Sequence, residues 1–190
     1  MPRTALVVVD MLNPFQHQDA EQLQRSVEPV VPRLAELIGR ARHRDDVDLI
    51  YVNDNYGDFT ATRDDLVARA LKGARPDLVE PVAPPADCAF LPKVRHSAFY
   101  GTSLEYVLRQ RDVRTVLLTG QVTEQCILYS ALDAYIRDFS IMVPPDCVAA
   151  IHDDLGRAAL RMMERNMSAA IVPSRECLAQ RSLPARSHAR

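Results

Sequence analysis

Long apolar runs are missing from this chain, and so is any marked excess of charge of one sign. A bilayer-spanning helix needs about 18 or more consecutive apolar residues, and no such stretch occurs. Residues 1–4 lead straight into a strand-like run, so no cleavable leader is expected. A formal net charge of -2 and a pI near 6.2 leave no basic footprint for nucleic acid or an anionic membrane surface. C-x-x-C pairs are also absent. The four cysteines, at 88, 126, 147 and 177, are too scattered for a zinc site or a disulfide frame and suit reduced thiols in a cytoplasmic protein. There is no internal repeat. What remains is 190 residues at 47% hydrophobic content, enough for one well-buried core. A single domain is expected over residues 1–173, followed by an arginine-rich, flexible tail over 174–190.

The most informative stretch is 115–129, TVLLTGQVTEQCILY. Its first four residues are apolar or β-branched with no helical period, which reads as a strand buried on both faces. Gly120 ends that run. Thr123 is then a helix-capping candidate, and from Gln125 onward the apolar residues recur at helical spacing. Cys126 therefore sits at a strand-to-helix turn. There, unpaired backbone N–H groups would favour a thiolate relative to a free thiol of pKa about 8.5. Two readings fit this window: a nucleophile, or a small residue packing a helix on a sheet.

Other segments extend the pattern. Residues 5–9 form a second buried-strand run ending in Asp10, followed by a loop over 11–18. A helix is expected over about 26–42, with Pro29 in its first turn and Pro32 awkwardly placed. A strand over 49–52 ends in Asn53-Asp54-Asn55, and residues 56–87 read as loop with a helical patch near 64–71. A weaker strand, 89–91, leads to Pro92-Lys93. Helices are expected over 102–111 and 153–167, and strands over 140–143 and 169–172. Alternating strands and helices predict an α/β fold with a mainly parallel sheet. In such sheets ligands collect beyond the carboxyl ends of the strands, so Asp10, Asn53, Asp54, Lys93 and Cys126 should face one crevice.

Those residue types suit thiol attack on a carbonyl. Asp10 can act as base and then as proton donor, Lys93 can hold Asp10 and the thiolate by charge, and backbone N–H groups over 122–126 can bind the oxyanion. No histidine is required. Each residue also has a plainer role open to it, since Asp10 could close an Asx turn and Lys93 could be a surface charge.

The motifs together resemble the isochorismatase-like cysteine hydrolases. Val8-Val9-Asp10 with Phe15 is similar to that family's V-V-D-x-x-x-x-F. Lys93 ahead of Ser97-Ala98-Phe99-Tyr100-Gly101-Thr102 is similar to its lysine and S-x-F-x-G-T segment. Gly120, Thr123 and Cys126 match its G-x-x-T-x-x-C turn. The resemblance covers residues 5–172. It implies a three-layer αβα fold with a six-stranded sheet, an Asp10-Lys93-Cys126 triad, a cis peptide at Gln121–Val122 shaping an oxyanion hole with Cys126, and a homo-oligomer, dimer or tetramer. It also implies a small-molecule substrate met by Phe15, Asn53, Asp54, Asn55, Tyr56, Phe99, Tyr100 and Thr123; residues 53–56 could equally be a solvated turn.

Two departures from the family narrow the activity. Its nicotinamidases carry a metal on an Asp-x-His pattern after the second strand, where this chain has Asn53-Asp54-Asn55-Tyr56 and no histidine between Arg44 and Arg95. No metal or other cofactor is therefore expected. Members that cleave a vinyl ether need no thiol, so the presence of Cys126 favours hydrolysis of an amide, carbamoyl or lactam C–N bond. The family includes carbamoylsarcosine, ureidoacrylate, biuret and nicotinamide amidases, and residues 120–126 look most like a streptothricin lactam hydrolase. The alternatives are a vinyl-ether hydrolase or a non-catalytic binding homologue.

Overall fold

A computed structural model describes residues 3–179. Seven parallel strands form its sheet. β1 (Arg3–Val9) lies at the centre between β2 (Val47–Asp54) and β4 (Val113–Gln121). β3 (Ala89–Lys93) borders β2, β5 (Ser140–Val143) borders β4, and β7 (Ala170–Ile171) forms the far edge. These six strands make the continuous path. The seventh, β6 (Val148–Ala149), is only two residues long and continues the sheet beside Gly120 and Gln121. A run that short carries no alternation, which is why the sequence pattern gives six strands.

Successive residues of β1 point to opposite faces, as the two-residue period of a strand requires. Leu6 and Val8 pack into one core with α1 (Ala20–Val27), α2 (Val30–Arg42), α3 (Arg63–Leu71) and α4 (Pro76–Val79). Ala5, Val7 and Val9 pack into the other with α5 (Leu104–Gln110), α6 (Leu128–Ile136) and α7 (Asp153–Met167). Burial on both faces explains the unbroken apolar run. Each fully buried Leu or Val contributes about 1.5–3 kcal/mol. Among the described residues, no helix is long and apolar enough to cross a membrane.

The helix expected over 26–42 is two helices. α1 starts at Ala20, where Ala20, Leu23 and Val27 bury one stripe, and the chain turns at Glu28-Pro29. Pro32 then falls in the first turn of α2, where a missing N–H costs no intrahelical bond. The proposed tail also differs at its start. Residues 174–177 form α8 (Ser174–Cys177), with Cys177 and Leu178 buried in the core around α2. Residues 180–190 lie outside the described residues.

Gly120 shows how the central strands are brought together. Its φ is +106°, and a Cβ there would stand 2.0 Å from the Val9 carbonyl oxygen. Only glycine lets β4 run this close to the end of β1.

Candidate active site

Asp10 follows β1, Lys93 closes β3, and Cys126 lies in a π-type turn, Thr123–Ile127, between β4 and α6. Because the strands are parallel, all three residues come out at one edge of the sheet. Lys93 Nζ stands 2.8 Å from Asp10 Oδ2 and 3.7 Å from Cys126 Sγ. Lys93 is 1% exposed, Cys126 7% and Asp10 8%, so this ion pair sits beside a largely desolvated thiol.

Side chains clamp the three segments together. Asp10 has left-handed backbone (φ 55°), and its Oδ1 accepts the Asp54 N–H at 2.8 Å. Gln121 Nε2 donates to the Asp10 carbonyl at 2.6 Å, tying the first strand's end to the cysteine turn. Buried Ser130 accepts the Ala98 N–H and donates to the Cys126 carbonyl, tying that turn to the segment after Lys93. The Gln121–Val122 peptide is cis.

Electrostatics at this floor are set by burial. Desolvation, reinforced by the Asp10 charge, pushes the Cys126 thiol up to about 12, against the opposing pull of Lys93 and a Val122 backbone hydrogen bond. Burial at this turn thus works against the thiolate that the backbone N–H groups before a helix would favour. Burial also raises Asp10 above the ordinary carboxylate range, although Lys93 works against it. For Lys93, burial alone would lower the pKa, but attraction to Asp10 and Cys126 prevails and raises it. The result is a thiol and a carboxyl group both shifted upward by burial, with Lys93 opposing the shift of each.

A cleft of about 320 Å³ opens above these residues. Asp54, Tyr56, Gln121 and Val122 line it, along with Asp10, Lys93 and Cys126. Asp54 Oδ2 is 3.8 Å from Lys93 Nζ, and the Tyr56 hydroxyl donates to the Leu12 carbonyl at 2.7 Å. The other expected substrate contacts are not among its lining residues. Asn53 is committed to backbone: its Oδ1 accepts Leu12 N–H at 2.8 Å, and its Nδ2 donates to the Leu12 and Asp54 carbonyls. Asn55 Oδ1 accepts the Gly57 N–H. Phe15 packs in the core with Leu12 and Leu23, and Phe99 packs against Phe139 on the opposite side of the sheet. Thr123 is buried near α7, and Tyr100 is 61% exposed and not among the lining residues.

Several lining residues escaped the sequence reading. Asn13, His17 and Asp19 come from the loop after β1, where the strand-end rule could have found them. Gln125 adjoins Cys126. Leu23 and Ile151 have no sequence signal, since only packing brings them there. His96, three residues beyond Lys93, places Nδ1 3.7 Å from Cys126 Sγ and its ring against Tyr129.

The residues after β2 do not suit a metal. Both asparagine side chains are engaged with backbone, no histidine joins Asp54, and among the described residues no group of three or more His, Cys, Asp or Glu is arranged to hold an ion.

Comparison with known proteins gives one consistent picture. The family model described as isochorismatase domain matches residues 4–176. The isochorismatase family protein YaaI of Bacillus subtilis is 35% identical over 174 residues, 92% of this chain and 96% of the relative. Maleamate amidohydrolase of Pseudomonas putida is 42% identical over a shorter 81 residues, 43% of this chain and 38% of the relative. Among solved structures, N-carbamoylsarcosine amidase from Thermoplasma acidophilum superposes with a TM-score of 0.71 at 28% identity, covering 93% of this chain and 99% of that one.

Proposed function

The chain belongs to the isochorismatase family, and from that premise we propose that it is a metal-independent cysteine hydrolase of a C–N bond in a small amide, carbamoyl compound or lactam. The observation that carries this reading is the position of Lys93, which contacts both Asp10 and Cys126 at the floor of a cleft. The amidohydrolase and amidase among its relatives support the same bond class.

The chemistry follows from the proton inventory. Cys126 enters the reaction as a thiol, so attack needs a base, and Asp10 takes the S–H proton as the S–C bond forms. Lys93 stabilises the sulfur and carboxylate charges as they change. Backbone N–H groups over 122–126 would receive the developing oxyanion; one such donor is typically worth about 100- to 1,000-fold in rate. The proton on Asp10 passes to the departing nitrogen as the C–N bond breaks, leaving a Cys126 thioester. Water then attacks the thioester carbonyl. Asp10 takes its proton and returns it to the sulfur as the acid product leaves.

The test is a screen of amides, ureas and lactams for ammonia or amine release, with intact-mass detection of an acyl-enzyme on a slow substrate. The adduct should be present in the wild type and absent in Cys126→Ala, which should not turn over. Full hydrolytic activity in Cys126→Ala would refute the thioester route and favour vinyl-ether hydrolysis.

A further inference from the structure

The lining of the cleft is rich in acceptors and carboxylates and poor in positive charge. Asp10, Asp19 and Asp54 supply three carboxylates, and Lys93 is the lone lysine or arginine among the lining residues. Lys93 is already committed. It lies 2.8 Å from Asp10 and 3.8 Å from Asp54, and it donates to the Arg95 carbonyl at 3.0 Å. Asp19 precedes α1 but makes no side-chain cap, and it forms no ion pair among the described residues. Gln121 adds an independent sign. It is 1% exposed, its Nε2 is taken by the Asp10 carbonyl, and its Oε1 is a buried acceptor without a partner among the described residues. Arg69 stacks 5.7 Å from the Tyr56 ring centroid but is not part of the lining.

A substrate carboxylate entering this cleft would meet like charges, with Lys93 already paired and only the imidazoles of His17, in the lining, and His96, 3.7 Å from Cys126 Sγ, as further basic groups among the described residues there. An ammonium or amidinium group would meet the carboxylates of Asp19 and Asp54, the latter accepting the Tyr56 N–H at 2.7 Å and lying 3.8 Å from Lys93 Nζ, and the buried, unpartnered Gln121 oxygen belongs to the same lining. We infer that the cleft selects molecules bearing a positive charge near the reacting carbonyl, recognised by Asp19 and Asp54, and disfavours those bearing a carboxylate. The substrate class is then a cationic amide or lactam. This rests on the hydrolase reading for the reaction, whereas the charge preference belongs to the cleft itself.

Two measurements separate these claims. The first needs no catalysis: the rates at which Cys126 is modified by a cationic and by an anionic methanethiosulfonate of similar size, ethyltrimethylammonium and ethylsulfonate, read by peptide mass. Divided by the same ratio for free cysteine, the cationic preference should be about tenfold or more, the order of one charge pair gained against one like-charge contact. It should shrink in Asp19→Asn and Asp54→Asn, and most in the double variant. Both substitutions are isosteric, and asparagine also serves at a helix start, so the fold should persist. A normalised ratio near one, or one favouring the anion, overturns the inference. The second measurement compares ammonia release from three amides of matched length: β-alaninamide, butyramide and succinamate. The expected order runs from cation to neutral to anion. Succinamate turned over best would overturn the charge preference while leaving amide hydrolysis standing. No release from any amide, together with a modification ratio that holds, would sustain the charge preference and count against the hydrolase reading.

Discussion

Lys93 and Asp10 form an ion pair with N···O 2.8 Å in which the lysine is 1% exposed. Removing either partner leaves a charge stranded in a site already stripped of water, which costs about 3–5 kcal/mol. Asp10→Ala and Lys93→Met are therefore each expected to lower urea-unfolding stability by that order. The double variant should lose clearly less than the two single losses combined, because no charge is left unpaired. Additive losses in the cycle would show that the pair is not coupled.

Asp10 can accept the thiol proton only when ionised. Because burial raises its pKa, hydrolysis should be lost as pH falls through a value above the ordinary aspartate range of about 3.9. Iodoacetamide should label Cys126 ahead of Cys147 and Cys177: all three thiols are raised to about 12, but only Cys126 lines the cleft beside a base. Asp10→Asn should slow hydrolysis about 100-fold or more at neutral pH, within the usual range for loss of a positioned base. Equal hydrolysis rates in wild type and Asp10→Asn would remove the carboxylate from the scheme.

Gly120→Ala places a Cβ 2.0 Å from the Val9 carbonyl oxygen, at a φ of +106° that L side chains avoid. Backbone cannot swing aside as a side-chain tip can, so β1 and β4 must separate just where Asp10 and Cys126 emerge. We expect a loss of about 3 kcal/mol or more in denaturant unfolding, with poor activity in any folded fraction. Wild-type stability would mean that the strand ends have more slack than their register implies.

Metal should not matter. Asn53 and Asn55 are engaged with backbone, and among the described residues no histidine joins Asp54 in a metal-holding group. Elemental analysis of purified protein is expected to find no stoichiometric zinc, iron or manganese, and chelators should leave turnover unchanged. A stoichiometric ion whose removal abolishes activity would contradict this.

The sequence by itself determined the six main strands and their order, but not the separation of α1 from α2, nor β6 or α8. Apolar runs such as 5–9 and 115–118 can be accommodated only in strands covered on both faces, and parallel connection brings the residues at their carboxyl ends to one edge. That logic is local, so the strand-end positions of Asp10, Lys93, Asp54 and Cys126 were legible from it. Tertiary structure decided how each side chain is used. Asn53 and Asp54 are adjacent in sequence, yet one holds the Leu12 backbone while the other lines the cleft. Phe15 and Phe99 were consumed by cores on opposite faces of the sheet. Leu23 and Ile151 reached the cleft through the packing of α1 and the segment after β6, contacts that no periodicity encodes. The protonation of Cys126 was likewise decided in three dimensions. Position in the sequence shows the thiol at a helix start, but desolvation depends on everything folded around it, and here desolvation outweighs the turn.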